Sequence, residues 1–339
     1  MATRVVYTDP VWALQPEGGV DPSAAHLERS VFGADTEIVL GCVEDGTFVT
    51  RGERFLSFVE GADALVIYRA RIEPDVVTAI APTCRVVARQ GVGFDNLAPD
   101  LLRAAGIYGF NVPDYCVDEV STHTLALLLA LERGVCHQND HLKNGRWDPL
   151  GGGRPRRVSA RTLGIVGFGR IGRATARKAQ PFYRSVVVHD PFVASDLVEG
   201  YGAERCGGLD ELLGRSDAVV LHAPLDESTR HMIDAAALAS ARPGALVVNT
   251  ARGDLVDTAA VLDALRAGTI GGFASDVFSP EDPNQDDVNR QLLGFDNVIV
   301  TSHRAFLSEE SERSQRTRVA EEVASVLGTG HPPRFGRLA

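Results

Sequence analysis

The sequence predicts an α/β protein built from two parallel β-sheets, each covered by helices on both faces. Three observations support this fold class. The chain has 339 residues, which is about twice the length that one hydrophobic core usually organises. Short apolar runs alternate with helical patterns from end to end, as in sheets buried on both sides. These runs form two sets, one before residue 111 and one after residue 160.

The first set predicts four strands, and a connector and a long helix follow it. The four runs are RVVYTD, TEIVLG, ALVIYRA and CRVVARQ. Asn111, Pro113 and Asp114 indicate the connector, and the helix can begin at Asp118 and end at Gly134. This helix has more leucines than one face needs, so we expect it to be buried in a large interface.

The second set predicts six strands and is followed by a charged amphipathic helix. The six runs are GIVGFG, SVVVHD, AVVLHA, ALVVNT, GFASDVF and NVIVTSH. A polar, glycine-rich stretch, KNGRWDPLGGGRPRR, precedes them and predicts an exposed loop. The last helix has Val319, Val323 and Val326 or Leu327 on one side, and we expect it to pack back on the first domain. The sequence therefore predicts one domain from 1–111 with 305–339, and a second domain from 112–304.

Composition excludes several classes of partner. The net charge of −11 argues against nucleic acid or an anionic membrane, because either requires a dominant basic face. The five cysteines are odd in number and form no C-x-x-C pair, so we predict no disulfide framework, no zinc site and no metal. The sequence has no apolar leader and no apolar run long enough to span a bilayer. We expect a soluble, unprocessed cytoplasmic protein.

The stretch GIVGFGRIGRATARKA contains Gly167, Gly169 and Gly172 in the order G-x-G-x-x-G, between a predicted strand and a predicted helix. In a dinucleotide-binding (Rossmann) unit these glycines permit a tight turn and close approach of a pyrophosphate to the helix N-terminus. The next strand ends at Asp190, where an acidic residue accepts from ribose hydroxyls and repels a 2′-phosphate. The sequence therefore favours NAD over NADP. The alternative is that Asp190 only caps a turn before Pro191.

Three later segments follow predicted strands, at the edge where open α/β sheets place ligands. They are NTARGDLVD, ASDVFSPEDP and VTSHRAF, and they offer Arg252, Glu281 and His303 as candidate functional groups. Each residue also has a structural alternative: a surface salt bridge for the arginine, a solvated loop acid for the glutamate, and a hydrogen-bonded core imidazole for the histidine.

These motifs, in this order, resemble the D-isomer-specific 2-hydroxyacid dehydrogenases, a family that includes phosphoglycerate dehydrogenases, glyoxylate and hydroxypyruvate reductases, and the C-terminal binding proteins. The resemblance covers RQGVGFDNL, NVPDYCVDEVSTHTLALLLAL, TLGIVGFGRIGRATARKA, LHAPLDESTRHMI, NTARGDLVD, SDVFSPEDP and TSHRAF. It implies a Rossmann NAD-binding domain inserted into a flavodoxin-like substrate domain. It also implies an NAD-dependent enzyme that interconverts a small 2-keto acid and the D-2-hydroxy acid.

The resemblance also assigns roles to individual residues. It implies that Arg252 binds the substrate carboxylate and carbonyl, that His303 transfers the proton, and that Glu281 is the partner of that histidine. A protonated imidazole suits the reduction of a keto acid, and a guanidinium suits a carboxylate. The implied cofactor-binding residues are Thr124, Val166, Gly167, Gly169, Arg170, Ile171, Gly172, Asp190, Ala223, Pro224, Thr229, Thr250, Ala251 and Asp276.

The substrate-binding residues implied by the resemblance include the backbone N–H groups of Val92 and Gly93, although these glycine-rich positions can also serve only as a turn. Arg304 departs from the family pattern, which has a small or apolar residue there. Arg69 lies where related phosphoglycerate dehydrogenases bring an arginine toward the substrate phosphate. We therefore hypothesise a second anionic group on the substrate: a phosphonate, a phosphate or a carboxylate. The alternative is that both arginines face solvent or pair with acids such as Glu309.

Two further expectations follow from the resemblance. The chain is expected to form a homodimer through its dinucleotide-binding domains. The alternative function is that of an NAD(H)-sensing interaction protein resembling the C-terminal binding protein corepressors, because TSHRAFLSEE resembles their corresponding segment, with Phe306 where they have tryptophan. No extra tail follows the fold, so we favour the enzyme.

Overall fold

The computed structural model describes residues 2–339, which form two compact units. Unit 1 consists of Met1–Tyr115 and Ser308–Ala339, and unit 2 consists of Cys116–Leu307. The second unit is thus inserted into the sequence of the first. The sequence-based boundaries, after residues 111 and 304, lie a few residues before these junctions.

Unit 1 begins with alternating strands and helices. Its strands are β1 (Thr3–Tyr7), β2 (Thr36–Leu40), β3 (Val43–Glu44), β4 (Thr47–Phe48), β5 (Ala64–Ile67), β6 (Val86–Arg89) and β7 (Tyr108–Asn111). Its first helices are α1 (His26–Phe32), α2 (Gly52–Val59), α3 (Pro74–Ile80) and α4 (Pro99–Ala104). The sheet has the order β2-β1-β5-β6-β7 and is entirely parallel, while β3 and β4 form a small antiparallel hairpin. The four predicted strands are confirmed. Asn111 ends a fifth strand, β7, and is not part of a connector.

Unit 2 begins with two consecutive helices and continues as a seven-stranded sheet. Its strands are β8 (Thr162–Val166), β9 (Ser185–His189), β10 (Glu204–Arg205), β11 (Ala218–Leu221), β12 (Ala245–Asn249), β13 (Ile270–Ser275) and β14 (Val298–Val300). Its helices are α5 (Val117–Arg133), α6 (Val135–Lys143), α7 (Arg170–Ala179), α8 (Ser195–Glu199), α9 (Leu209–Arg215), α10 (Ala235–Ser240), α11 (Thr258–Ala267) and α12 (Asp287–Leu292). The sheet is parallel throughout, with the order β10-β9-β8-β11-β12-β13-β14. The six predicted strands are confirmed, and the two-residue edge strand β10 is an addition.

Successive residues of a strand point to opposite sides of the sheet. In both units, buried apolar residues lie on both sides. In β11, Val219 and Leu221 pack into one apolar cluster, whereas Ala218 and Val220 pack into another. The strands of unit 1 are divided between two clusters in the same way. This confirms the predicted fold class, two doubly wound α/β domains. The strand orders are those of a flavodoxin-like sheet and a Rossmann sheet.

The long helix α5 ends as its sequence predicts, since Gly134 has a positive φ of 60° and its N–H caps the last turn. The burial of its leucines does not require the interface that the sequence predicted. Leu125, Leu127 and Leu128 are buried within unit 2, in the cluster that also holds Ile165 and Val248. The core of the unit itself therefore accounts for the leucine run.

The last helix, α13 (Glu309–Thr329), belongs to unit 1, as predicted. Val319, Val323 and Val326 pack in the same cluster as Val66 and Phe110 of the parallel sheet. Within residues 2–339, no helix combines the length and the apolar character needed to cross a bilayer.

Candidate active site

The glycine loop lies between β8 and α7, and its geometry explains why glycine is required. Gly167 has a φ of +89°, and a Cβ there would lie 2.6 Å from the backbone nitrogen of Ala223. A Cβ at Gly172 would collide with the carbonyl oxygen of Gly167. At Gly169, in contrast, a Cβ would meet no heavy atom within 4 Å. The backbone is thus tightly packed at Gly167 and Gly172, whereas space is open at Gly169, where α7 begins. This arrangement fits a pyrophosphate at a helix N-terminus.

Asp190 follows β9, beside the glycine loop. Its carboxylate accepts the N–H of Phe168 at 2.7 Å and the N–H of Phe192 at 2.9 Å. The contact with Phe192 is the turn cap considered as the alternative, and the contact with Phe168 fixes the glycine loop. Each carboxylate oxygen retains acceptor capacity for a ribose hydroxyl. The surroundings of Asp190 therefore fit the adenosine end of NAD.

The other predicted cofactor residues of unit 2 follow β11 and β12 or lie on α5. Thr229 closes the turn after β11 by donating to the carbonyl oxygen of Pro224 at 2.7 Å. Thr124 and Thr250 are both buried, and their hydroxyl oxygens lie 2.7 Å apart. The exposed or half-buried residues of this set line the start of α7 and the turns after these strands: Arg170, Ile171, Pro224 and Ala251. Val166 and Ala223 are buried behind the loop.

The three predicted catalytic residues follow three neighbouring strands. Arg252 comes after β12, Glu281 after β13 and His303 after β14, and these strands are adjacent in the sheet. Because the carboxyl ends of parallel strands meet at one edge, all three residues belong to the same edge of unit 2. The glycine loop and Asp190 follow β8 and β9, so they continue the same row.

His303 and Glu281 are in direct contact. The Nδ1 atom of His303 forms a hydrogen bond with Oε1 of Glu281. A carboxylate can only accept, so Nδ1 carries the hydrogen and Nε2 remains for another partner. The imidazole is one-quarter exposed. This geometry provides a histidine whose orientation is fixed by a neighbouring carboxylate.

Arg252 lies on a loop that its neighbours constrain. Its Nη1 donates to the carbonyl oxygen of Ala251 at 2.7 Å, and its own carbonyl oxygen accepts from the side chain of buried Asn249 at 2.8 Å. The next residue, Gly253, packs so tightly against the backbone of Phe278 that no Cβ fits. The arginine loop is therefore packed directly on the segment that leads to Glu281.

Asp276 is fully buried and holds the loop that carries His303. Its carboxylate accepts the hydroxyl of Thr301 at 2.5 Å, the N–H of Arg304 at 3.0 Å and the N–H of Ala305 at 2.8 Å. The N–H of His303 donates to the Asp276 carbonyl oxygen at 2.7 Å. His303 itself has a φ of +51°, an uncommon conformation for a residue with a side chain. Asp276 thus fixes a strained loop; its predicted contact with the nicotinamide stays a prediction.

His123 extends this network from α5. Its Nε2 lies 3.0 Å from the hydroxyl oxygen of Thr301. Since that hydroxyl gives its hydrogen to Asp276, His123 must donate, and its Nε2 carries the hydrogen. Burial lowers the pKa of His123, with a smaller raising effect from Asp276 and a further lowering effect from Arg304. His123 is therefore a hydrogen-bond donor whose burial favours the neutral ring, and the sequence prediction did not include it.

Arg304 follows His303 and is exposed. Its guanidinium forms no ion pair with an acid of residues 2–339, so the pairing with Glu309 considered from the sequence is not observed. Its charge is close enough to His123 to contribute to the lowered pKa of that ring. Arg304 is thus a cation without an acidic partner among the described residues, and it directly follows His303, the candidate proton donor.

In unit 1, the predicted substrate residues follow β5 and β6. Arg69 is exposed, and its N–H donates to the buried carboxylate of Asp9, which also accepts from Tyr68 and Ala70. The N–H groups of Val92 and Gly93 have no acceptor within the described residues, which suits an anion. Asn96 donates to the carbonyl oxygens of Tyr68 at 3.1 Å and Ala70 at 2.8 Å, so it ties these two loops together.

Sequence reasoning missed the residues that hold these loops in place: Asp9, Asn96, His123, Asn249 and Thr301. Several of them lie next to or within recognised motifs, such as Asn96 in QGVGFDN and Asn249 in NTARG. A buried polar residue at the end of an apolar strand is the signal that could have identified them, because such a group needs a hydrogen-bond partner.

The comparisons with known proteins identify the family of the chain. The model of the D-isomer specific 2-hydroxyacid dehydrogenase NAD-binding domain matches residues 125–305. The chain is 35% identical to a D-3-phosphoglycerate dehydrogenase of Methanocaldococcus jannaschii over 85% of this chain and 54% of that protein. It is 36% identical to an (S)-sulfolactate dehydrogenase of Chromohalobacter salexigens over 87% of this chain and 94% of that protein.

Solved structures give the same result. A D-lactate dehydrogenase of Aquifex aeolicus, crystallised with NAD and lactic acid, superposes with a TM-score of 0.83 at 26% identity, covering 96% of both chains. The chain spans about half the length of the phosphoglycerate dehydrogenases it matches. The alternative of an NAD(H)-sensing interaction protein gains no support from these comparisons. The chain belongs to the D-isomer-specific 2-hydroxyacid dehydrogenase family and contains its NAD-binding domain.

Proposed function

We propose that this protein is an NAD(H)-dependent oxidoreductase that interconverts a small 2-keto acid and the corresponding D-2-hydroxy acid. The observation that carries the proposal is the hydrogen bond between His303 and Glu281, at the same sheet edge as the glycine loop and Arg252. A proton donor, a cation and a dinucleotide cradle are the groups that this reaction requires. The relatives named above are dehydrogenases of phosphoglycerate, sulfolactate and lactate.

We assign the following roles to the residues of the site. When bound, NADH supplies the hydride that reduces C2 of the keto acid. His303 donates the proton from Nε2 to the carbonyl oxygen, so the C=O double bond becomes C–OH and the imidazolium becomes neutral. Glu281 stabilises the charged imidazole and fixes its orientation through Nδ1. Arg252 binds the carboxylate and stabilises negative charge that develops on the carbonyl oxygen. In the oxidative direction, neutral His303 accepts the proton.

We further propose that the substrate has a second anionic group. Arg304 supports this, since it has no internal acid partner and stands beside His303. Arg69, at the end of β5, remains the second candidate contact. The sulfonate of sulfolactate and the phosphate of phosphoglycerate show which groups relatives accept. A phosphonate, a phosphate, a sulfonate or a second carboxylate are the groups we propose. The cytoplasmic location stays a prediction.

We propose a homodimer formed through the NAD-binding unit. Four apolar side chains of α6 and the following loop are exposed: Val135, Leu142, Trp147 and Leu150. Trp147 is 85% exposed, and burying such a ring in an interface is favourable. This surface replaces the leucines of α5 as support for a dimer, because those leucines are buried within the unit.

The first prediction concerns catalysis. We expect His303→Ala and Arg252→Ala each to reduce kcat/KM for keto-acid reduction by about 10²–10⁴-fold, measured from NADH absorbance with a panel of 2-keto acids. NADH binding should persist. Arg242→Ala is the matched control, because Arg242 precedes β12 whereas Arg252 follows it.

In Glu281→Gln, the fall in rate at high pH should move to lower pH, since the imidazolium loses its anionic partner. A near-normal rate in either alanine variant, or an unchanged pH profile, would contradict these assignments.

The second prediction concerns the cofactor. The wild type should prefer NADH to NADPH, because the Asp190 carboxylate repels a 2′-phosphate. Asp190→Ser should narrow this preference, measured as the ratio of the two kcat/KM values. Asp196→Ser, on the next helix, is a control that should leave the ratio unchanged. Equal use of NADPH by the wild type would rule out this role for Asp190.

The third prediction concerns the second anion. A dianionic keto acid such as sulfopyruvate, phosphonopyruvate, phosphohydroxypyruvate or oxaloacetate should have a higher kcat/KM than pyruvate or glyoxylate. Arg304→Ala should reduce this advantage by about ten- to a hundredfold, since a charge-assisted contact contributes about 1.5–3 kcal/mol. Arg313→Ala, which removes an exposed arginine of α13, should not. The proposal is refuted if the variant loses activity equally on monoanionic and dianionic substrates.

The fourth prediction concerns assembly. The wild type should sediment as a dimer, and Trp147→Glu with Leu150→Glu should shift it toward monomer, because two charges cannot be buried in an apolar interface without cost. Phe192→Glu is the matched control, since Phe192 is 93% exposed and lies after β9. A monomeric wild type, or dissociation caused by Phe192→Glu instead, would exclude this interface.

A further inference from the structure

Two histidines of α6 face a third metal-ligating residue at a distance from the candidate active site. His137 and His141 are four residues apart, so they share one face of the helix. Their rings are adjacent, with centroids 3.8 Å apart. An i, i+4 pair of imidazoles on a helix is an arrangement that holds zinc in proteins.

Asp296 supplies the third potential ligand. It lies in the turn before β14, and its Oδ2 is 3.6 Å from Nδ1 of His137. One potential ligand atom from each of the three residues lies within 4.8 Å of the others. The turn is anchored, because Asn297 binds Gly271 through its side chain at 3.0 Å and Phe273 through its carbonyl oxygen at 3.1 Å.

The histidines carry buried nitrogen atoms that the protein does not satisfy. Within residues 2–339, neither Nε2 of His137 nor Nδ1 of His141 has a hydrogen-bond partner. A buried polar nitrogen without a partner is unfavourable. A cation that accepts a lone pair from one nitrogen of each ring supplies a partner for that nitrogen.

The loop after α6 is packed onto this pair. A Cβ at Gly151 would lie 3.1 Å from Nδ1 of His141, and one at Gly152 would lie 2.7 Å from Cδ2 of His137. Gln138, between the histidines, donates to the carbonyl oxygens of Gly151 at 2.6 Å and Asp148 at 3.2 Å. The glycines thus permit the loop to cover the rings, and Gln138 fixes it there.

The cluster adjoins a cavity of about 880 Å³ at the amino ends of the strands. Among the residues that line the cavity are His137 and Asp296, with Gly244 before β12 and Gly271 at the start of β13. In a parallel sheet this edge is opposite the one that carries the glycine loop and His303. A cation bound here therefore has no part in the reaction.

We propose that His137, His141 and Asp296 form a structural zinc site that joins α6 and its covering loop to the turn before β14. Two imidazoles and one carboxylate match the ligand preference of Zn²⁺, and the cavity admits water as a fourth ligand. Zinc requires nitrogen and oxygen ligands at about 2.0–2.2 Å. Asp296 is 78% exposed, so its side chain is free to rotate toward the histidines and complete the site.

The test is zinc binding by the tag-free full chain, measured by competition with a chromophoric chelator. The wild type should bind one Zn²⁺ per chain, and added zinc should raise its Tm, since a ligand that binds the folded state stabilises it. His137→Gln with His141→Gln should abolish this stoichiometric binding. Asp296→Asn should weaken binding by at least about tenfold. His331→Gln, which removes an exposed histidine near the C-terminus, should bind as the wild type does.

Binding of NADH, at the opposite edge of the sheet, should be unchanged in every variant and reports that unit 2 is folded. If the double variant does not bind NADH, its loss of zinc binding is not informative. Zinc binding by Asp296→Asn then tests the proposal, because the exposed side chain of Asp296 contributes little to folding. The proposal is overturned if the wild type binds no equivalent of zinc, or if Asp296→Asn binds it as tightly as the wild type. Neither result bears on the oxidoreductase activity.

Discussion

The buried carboxylate of Asp276 is the interaction on which the candidate site most depends. It binds the Thr301 hydroxyl and two backbone N–H groups of the loop after β14, and this loop holds His303 in a left-handed conformation. Such a conformation is costly for a residue with a side chain, so it persists only where the surroundings over-determine it. The result is an imidazole whose Nδ1 faces Glu281 and whose Nε2 takes no part in that contact. Unit 1 uses the same device, since buried Asp9 accepts three consecutive N–H groups of the loop after β5.

Parallel topology explains why these loops matter together. All seven strands of unit 2 run in one direction, so every functional segment that follows a strand comes to the same edge. The order β9, β8, β11, β12, β13, β14 places Asp190, the glycine loop, the 223–229 turn, Arg252, Glu281 and His303 in one row. The row passes from groups that suit ribose and pyrophosphate to groups that suit a carbonyl and its proton. The histidine pair of α6 adjoins the cavity at the opposite edge of the sheet.

The sequence predicted the long apolar strands, the glycine loop and the residues at strand ends, because these depend on local pattern. It did not predict β10, whose two residues Glu204 and Arg205 are exposed at the sheet edge and have no apolar signal. It attributed the leucines of α5 to an interface, because a sequence does not show how many helix faces the core of one unit covers. It also missed contacts between distant residues: Asp9 with the 68–70 loop, His123 with Thr301, and Asp296 with the two histidines. Spacing along the chain carries no information on such pairs.

Transfer of an isotopic label tests the central claim most directly. The protein is incubated with NADH deuterated at the transferable position of C4 and with the most active 2-keto acid, and the product is examined by NMR and chiral chromatography. The account predicts deuterium on C2 of a D-2-hydroxy acid, with one label transferred per NADH consumed. Product without deuterium on C2, or an L-2-hydroxy acid, would contradict the assignment of this chain's chemistry.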